Sequence, residues 1–94
     1  MNRRQVILVT GASVGLGLAI GRRLIDEQTK SKLHVVLTSR KGSLQRFAEQ
    51  GIVEQEGVWI RALDVTDPEQ RQAVVAEIAS ELGGVDILIN NAVV

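Results

Sequence analysis

Short apolar runs alternate with longer amphipathic stretches along the chain. The runs are wholly or largely apolar, which is typical of strands buried on both faces of a parallel sheet. They cover residues 6–9, 35–37, 58–63 and 87–89. Three longer stretches repeat apolar side chains every three or four residues, which is the spacing of one helix face. These stretches cover residues 15–29, 43–50 and 68–82. The pattern predicts four strands that alternate with three helices.

Individual residues predict where two of the helices begin and end. Asp67, followed by Pro68, is a favourable N-cap for the third helix, and Gln70 completes the spacing of a capping box. Ser43 is the predicted N-cap of the second helix, and Gly51 is its predicted stop. These assignments depend only on the capping preferences of the residue types at the helix ends.

A helix between consecutive strands predicts parallel pairing, because a tight turn cannot connect parallel neighbours. The expected fold class is α/β, the first half of a doubly wound parallel sheet with strand order 3-2-1-4. Strand 3 mixes polar and apolar side chains, which suits an edge. Strand 4 is apolar throughout, which predicts an interior strand with a further neighbour. Because no residue follows Val94, we expect residues 1–94 to form a single, incomplete domain.

Composition excludes several classes of function. The 11 Lys and Arg balance the 11 Asp and Glu, which argues against nucleic-acid or membrane binding through a strong basic field. The absence of cysteine and the single histidine, His34, exclude a disulfide scaffold and a Cys- or His-rich metal site. We expect His34 to be structural or exposed. No segment approaches the ~20 apolar residues of a membrane span, so a cytoplasmic location is expected.

A glycine-rich turn lies between the first strand and the first helix, with Gly11, Gly15 and Gly17 in the pattern G-x-x-x-G-x-G. Gly11 permits a tight turn, Gly15 removes a side chain from the path of a phosphate, and Gly17 lets the helix pack closely on the sheet. The N–H groups of the first helical turn attract phosphates. The alternative is a purely conformational turn. No Gly-Lys-Ser or Gly-Lys-Thr sequence follows the glycine turn, so a P-loop is not supported.

Three motifs in sequence order resemble the short-chain dehydrogenase/reductase family. They are Thr10-Gly11-x-x-x-Gly15-x-Gly17, Asp64-Val65 and Asn90-Asn91-Ala92. The resemblance covers the whole chain and corresponds to the amino-terminal, cofactor-binding half of such an enzyme. It implies a Rossmann-like fold and hydride transfer between a nicotinamide and a carbonyl or alcohol.

The resemblance also implies a role for each motif residue. The phosphate-binding group would comprise Gly11, Ser13, Gly15, Leu16 and Gly17. Asp64 and Val65 would lie against the adenine, and Asn91 and Ala92 beside the ribose and nicotinamide. Asn90 would tie strand 4 to its neighbours. For Asp64, a solvated turn or helix-cap role is equally open, and the asparagines could form an ordinary polar turn.

The end of strand 2 predicts the choice of dinucleotide. An NAD site places a carboxylate roughly 20 residues past the glycine turn, but the residue 22 positions after Gly17 is Ser39, and Arg40 follows it. A guanidinium binds a 2′-phosphate through charge and paired donors, so Ser39 and Arg40 predict NADP(H) over NAD(H). The alternative is that Arg40 only faces solvent. Val14 departs from the pattern, because some NADP-preferring relatives carry a basic residue there. The missing carboxylate also counts against a methyltransferase.

Catalytic residues are not predicted in this chain. Family enzymes use a tyrosine as acid or base, and the chain contains no tyrosine, so we expect no turnover by the chain alone. Relatives commonly carry glycine where Val93 stands, which favours a sequence interrupted near this point. The second hypothesis is a non-catalytic nucleotide-binding or interaction module, in which the edge of strand 4 accepts a partner or a second copy.

Overall fold

The computed structural model describes residues 3–92, and its elements follow the predicted order. The strands are β1 (Gln5–Thr10), β2 (Leu33–Ser39), β3 (Val58–Ala62) and β4 (Ile87–Asn90). The helices are α1 (Gly15–Glu27), α2 (Gln45–Glu49) and α3 (Pro68–Leu82), and a 3₁₀ turn (Lys41–Ser43) precedes α2. All strand pairs are parallel, in the order β3-β2-β1-β4. The predicted Rossmann-like α/β architecture is confirmed.

The sheet has a hydrophobic core on each face. Successive strand residues point to opposite faces, so Val35 and Leu37 pack with Phe47 of α2, whereas Val36 packs on the side of α3. Phe47 is fully buried and is therefore a packing residue. Burial on both faces explains why the strands are apolar at consecutive positions.

At the amino end of α3 the structure confirms the predicted N-cap, Asp67, but not the predicted capping box with Gln70. The carboxylate of Asp67 accepts hydrogen bonds from the N–H groups of Glu69 (2.9 Å) and Gln70 (3.3 Å), which confirms the N-cap. The capping-box prediction for Gln70 is wrong, because its side-chain oxygen accepts from the N–H of Asp64 at 2.7 Å. The N–H of Asp67 already donates to the Asp64 carbonyl at 2.9 Å, so it does not need Gln70.

The second helix is shorter than predicted. Ser43 is not its N-cap: it lies in the 3₁₀ turn, where its N–H donates to the carbonyl of Arg40 at 2.8 Å. Leu44 occupies the capping position with a helical backbone and no side-chain hydrogen bond. Gly51 adopts the left-handed conformation (φ +75°) and confirms the predicted stop. Helix α1 likewise ends at Glu27, two residues earlier than expected.

The two edges of the sheet differ in character. β3 lies at one edge, as predicted, and Arg61 on it donates to Glu77 of α3 at 2.8 Å. Within residues 3–92, β4 pairs with β1 alone, and Ile87 and Leu88 are 41% and 58% exposed. The further neighbour predicted for strand 4 is not among these residues. The expectation about Val93 falls outside the part of the chain that the structure describes.

His34 is a structural residue. It is buried at the start of β2, and its ring stands edge-on to that of Trp59, with the ring centroids 5.1 Å apart. Within the described range its Nε2 atom has no hydrogen-bond partner. Burial, helped by the positive charges of Arg4 and Arg61, lowers the pKa of His34 below its usual 6.5. The ring is therefore neutral at neutral pH and fills space beside Trp59.

Two further features are absent from residues 3–92. No helix in that range combines the length and the apolar character needed to cross a membrane. No three His, Asp or Glu side chains there converge as metal ligands.

Candidate cofactor-binding site

A cleft of about 460 Å³ opens at the carboxyl ends of the strands, beside the start of α1. This is where open α/β sheets bind ligands. Nine predicted site residues line it. The turn after β1 contributes Gly11, Ser13, Gly15 and Leu16, and the end of β2 contributes Ser39 and Arg40. Val65, Asn91 and Ala92 complete the predicted set.

Two of the predicted site residues, Gly17 and Asp64, do not line the cleft. Three residues that line it were not predicted from the sequence: Val14, Ser43 and Leu63. Val14 lies inside the glycine turn, so the turn itself was a sufficient signal for it. Leu63 ends the apolar run of residues 58–63. That run predicts a strand and gives no separate sign that its last residue lines a cleft. Ser43 reaches the wall through the 3₁₀ turn, which the helical pattern does not reveal.

The first two glycines adopt backbone conformations that L side chains rarely adopt. Gly11 has φ +61°, and a Cβ on it would lie 2.9 Å from the Cα of Ala92. Gly15 has φ +58°, and a Cβ on it would meet no atom within 4 Å. Gly11 thus permits both the turn and the close approach of the chain after β4. Gly15 leaves open space on the cleft side.

Gly17 is required by the turn itself rather than by helix–sheet packing. A Cβ on Gly17 would collide with the carbonyl oxygen of Gly11 and lie 2.6 Å from Nδ2 of Asn91. The glycine that faces the sheet is Gly21, where a Cβ would lie 3.0 Å from a terminal methyl group of Leu37. The physical reason expected for Gly17 therefore applies to Gly21.

The amino terminus of α1 opens onto the cleft without a capping side chain. Val14 occupies the N-cap position and makes no side-chain hydrogen bond, and the first turn carries no acidic residue. Because the first N–H groups of a helix lack partners within the helix, such an end attracts anions. A diphosphate fits this end of the cleft in both charge and hydrogen bonding.

Thr10 joins the end of β4 to the glycine turn. Its hydroxyl donates to Oδ1 of Asn90 at 2.7 Å and accepts from the N–H groups of Asn91 (3.0 Å) and Ala92 (3.2 Å). Nδ2 of Asn91 donates to the carbonyl of Gly11 at 3.3 Å. Asn90 thus ties β4 to β1, as expected, and the Asn91 side chain braces the turn.

Arg40 lies exposed at the rim of the cleft, directly after β2. Within residues 3–92 its guanidinium makes no ion pair at 4.0 Å or less. Its charge nevertheless acts on Asp64, where it adds to a lowering of the carboxyl pKa. The neighbouring position holds the uncharged Ser39 and no carboxylate.

Asp64 stabilises a turn outside the cleft lining. Its carboxylate accepts from the hydroxyl of Thr66 at 2.6 Å and from the Thr66 N–H at 2.9 Å, and these bonds are the main cause of its lowered pKa. The adjacent Val65 does line the cleft. The contact of Asp64 with adenine stays a prediction.

Comparisons with known proteins agree with this geometry. The family model for short chain dehydrogenases matches residues 5–94. The chain is 42% identical to a 3-oxoacyl-(acyl-carrier-protein) reductase of Vibrio cholerae, covering 94% of this chain and 34% of the relative. It is 40% identical to carbonyl reductase (NADPH) 3 of Mus musculus, covering 94% of this chain and 31% of the relative.

A solved structure shows the same fold. A short-chain dehydrogenase from Streptomyces avermitilis superposes with a TM-score of 0.76 at 32% identity, over 95% of this chain and 30% of that one. The chain thus spans about a third of the length of the relatives it matches. It belongs to the short-chain dehydrogenase family of oxidoreductases, whose fold binds a nicotinamide dinucleotide.

Proposed function

We propose that this chain forms the NADP(H)-binding, amino-terminal part of an oxidoreductase that transfers hydride between the nicotinamide and a carbonyl or alcohol. The observation that carries the choice of NADP(H) is Arg40, which is exposed at the cleft rim with no ion pair within residues 3–92. A guanidinium in that position attracts a 2′-phosphate. The name of the mouse relative includes NADPH, which supports the same choice.

The remaining cleft residues would hold the rest of the dinucleotide. The first-turn N–H groups of α1, from Gly15 to Gly17, would bind the diphosphate. Val65 would lie against the adenine, with Asp64 behind it, and Asn91 and Ala92 would lie beside the ribose and nicotinamide. The bound dinucleotide would supply the hydride, while the residues of this chain bind and orient it.

The chemical step would require groups that this chain does not carry. The acid or base that the family resemblance implies is a tyrosine, and the chain has none. The relatives are about three times as long as the matched segment. We therefore propose that catalysis depends on residues outside this sequence, and that the 94 residues alone bind cofactor without turnover.

A non-catalytic interaction module is the second candidate, and one observation favours it. Within residues 3–92 one edge of β4 is unpaired and its Leu88 is 58% exposed, and an exposed apolar edge strand promotes association. A partner or a second copy that added a strand there would complete the sheet. This candidate predicts dinucleotide affinity that changes with the assembly state, whereas the oxidoreductase proposal does not require it.

Calorimetric titration of the chain with NADPH and NADH tests the proposal. We expect NADPH to bind at least about tenfold more tightly, because a charge-assisted hydrogen bond contributes about 1.5–3 kcal/mol. The preference should shrink as salt is added, since Arg40 is exposed and its charge is screened. Equal or tighter binding of NADH would contradict the assignment to NADP(H).

A further inference from the structure

The start of β2 buries an ionisable ring that lies away from the cofactor cleft. His34 is the only histidine of the chain and is 9% exposed. It precedes Val36 by two residues, so both side chains point to the face of the sheet that α3 covers. The cleft opens at the opposite, carboxyl ends of the strands. The ring therefore has no part in the binding site described above.

A pocket of about 220 Å³ borders the ring at the amino ends of the strands. Residues from the segment before β1, from β1 and β2 and from the end of α3 line it: Arg3, Arg4, Val6, His34, Glu81 and Leu82. Because Arg3 and Glu81 are exposed, the pocket communicates with solvent. A proton can reach the ring without unfolding of the sheet.

Two guanidinium groups near the ring favour its neutral form. Arg61 of β3 lies over the Trp59 ring, with its Cζ atom 4.3 Å from the ring centroid, and Trp59 stands edge-on to His34. Arg4 lines the pocket from the segment before β1. Burial is the main cause of the lowered pKa of His34, and the charges of Arg4 and Arg61 add to it. A proton on the ring would place a third positive charge near these two groups.

No carboxylate in the described range is placed to accept a hydrogen bond from the protonated ring. The acidic residues around the pocket and its neighbouring arginines are Glu54, Glu56, Glu77, Glu81 and Asp86. All of them except Glu81 pair with an arginine. Within residues 3–92 no carboxylate lies at 4.0 Å or less from a ring nitrogen of His34, and its Nε2 has no partner.

We propose that His34 is an acid-sensitive switch at the amino ends of the strands. The neutral ring packs against Trp59 and closes the space between β2, β3 and α3. The protonated ring is an unpaired cation near Arg4 and Arg61, which is unfavourable in a buried position, so the start of β2 separates from Trp59. This switch does not depend on the proposed function, because the cleft lies at the other ends of the strands.

One side chain sets the pH range of this switch. The folded chain binds a proton at His34 less readily than the unfolded chain does. The stability due to the neutral ring is therefore complete above about pH 6.5 and is lost as the pH falls below that value. The carboxyl groups of Asp64, Glu77 and Asp86 have pKa values lowered from 3.8, 4.5 and 3.8, so they titrate below this range. Between about pH 5 and 7, histidine is the side chain that ordinarily titrates.

Urea unfolding followed by fluorescence tests the switch, because Trp59 is the only tryptophan of the chain and stands beside the ring. From about pH 7.5 to 5.5, the folding equilibrium constant of the unmodified chain should fall at least about threefold more than that of His34→Gln. The limit is about tenfold, because that is the proton binding that an imidazole of ordinary pKa gains over this range. His34→Phe keeps an aromatic ring that cannot titrate, and it should show the same small loss as His34→Gln.

Arginine variants test the contribution of the neighbouring charges. Arg4→Gln should raise the pKa of His34 and reduce the acid-induced loss of stability, because it removes one of the two repelling charges. Arg46→Gln is the matched control, since it removes the same charge from an exposed position on α2, which packs on the other face of the sheet. The control should leave the loss unchanged.

Nuclear magnetic resonance of the His34 ring measures its pKa in the unmodified chain and requires no variant. We expect a value below 6.5, and a value at or above it would overturn the proposal. An acid-induced loss as large in His34→Gln and His34→Phe as in the unmodified chain would also overturn it, as would a loss that Arg4→Gln leaves unchanged. A larger loss in Glu81→Gln would show that Glu81 accepts a hydrogen bond from the protonated ring, which contradicts an unpaired cation.

Discussion

Replacing Gly17 with alanine should destabilise the chain and weaken its binding of NADPH. Helix propensity alone predicts the reverse, since alanine is favoured over glycine inside a helix by about 1 kcal/mol. The new Cβ, however, would collide with the carbonyl oxygen of Gly11 and lie 2.6 Å from Nδ2 of Asn91. A backbone oxygen cannot rotate away as a side chain can, so the start of α1 must move away from the turn.

Overpacking of this kind lowers the free energy of unfolding by about 1–3 kcal/mol, which urea denaturation measures. We expect the dissociation constant for NADPH to rise at least about tenfold, because the first-turn N–H groups lose their alignment. Gly21→Ala is the matched control on the same helix. Its Cβ would lie 3.0 and 3.5 Å from the two terminal methyl groups of the buried Leu37, so it should lower the free energy of unfolding while leaving the first-turn N–H groups, and hence the NADPH affinity, unchanged. Normal stability and affinity in Gly17→Ala would show that the turn tolerates a side chain there.

Replacing Arg40 with aspartate should reverse the cofactor preference. The carboxylate would repel a 2′-phosphate and could accept hydrogen bonds from a 2′-hydroxyl. We expect NADPH affinity to fall about ten- to a hundredfold, which corresponds to the loss of a charge-assisted hydrogen bond. NADH affinity should stay level or rise. Parallel calorimetric titrations with both dinucleotides give the ratio directly.

Lys41→Asp is the control for Arg40→Asp, because it changes the net charge equally at the next residue. Lys41 is exposed and does not line the cleft. The control should therefore lower NADPH affinity only slightly, through weak and salt-screened attraction. If Lys41→Asp and Arg40→Asp have the same effect, overall charge rather than a contact at residue 40 sets the preference.

The order of strands was predictable because it depends on patterns that are local in the sequence. Continuous apolar runs such as residues 6–9 are typical of strands that are covered on both faces, and helical stretches between them favour parallel crossovers. The N-cap at Asp67 was equally predictable from the sequence, because the N–H groups that it satisfies lie within three residues of it. Gly51 was identified for the same reason.

Predictions failed where nearby groups compete for one hydrogen-bond partner. Gln70 had the spacing of a capping box, but its side chain satisfies the N–H of Asp64 instead. Ser43 had the right residue type for an N-cap, but its backbone forms part of a 3₁₀ turn instead. In both cases the sequence pattern is compatible with either arrangement, and tertiary position decides between them.

Most of the cleft could be predicted, but its internal contacts could not. The motif residues indicated the turn and both strand ends, because the carboxyl ends of parallel strands meet at one edge. The contact of Gly17 with Gly11 and Asn91 depends on how the end of β4 packs against the turn. The hydrogen bond from the Ser39 hydroxyl to the Ser13 hydroxyl joins residues on different elements, and no periodicity in the sequence marks such a pair.

The central claim is that the first-turn N–H groups of α1 bind the diphosphate of a dinucleotide. Nuclear magnetic resonance of the isotope-labelled chain during an NADPH titration tests it most directly, because each backbone N–H is observed separately. The account predicts that the N–H resonances of Gly15, Leu16 and Gly17 shift the most and saturate with a single dissociation constant. Resonances at these three positions that stay unchanged while NADPH binds would contradict it.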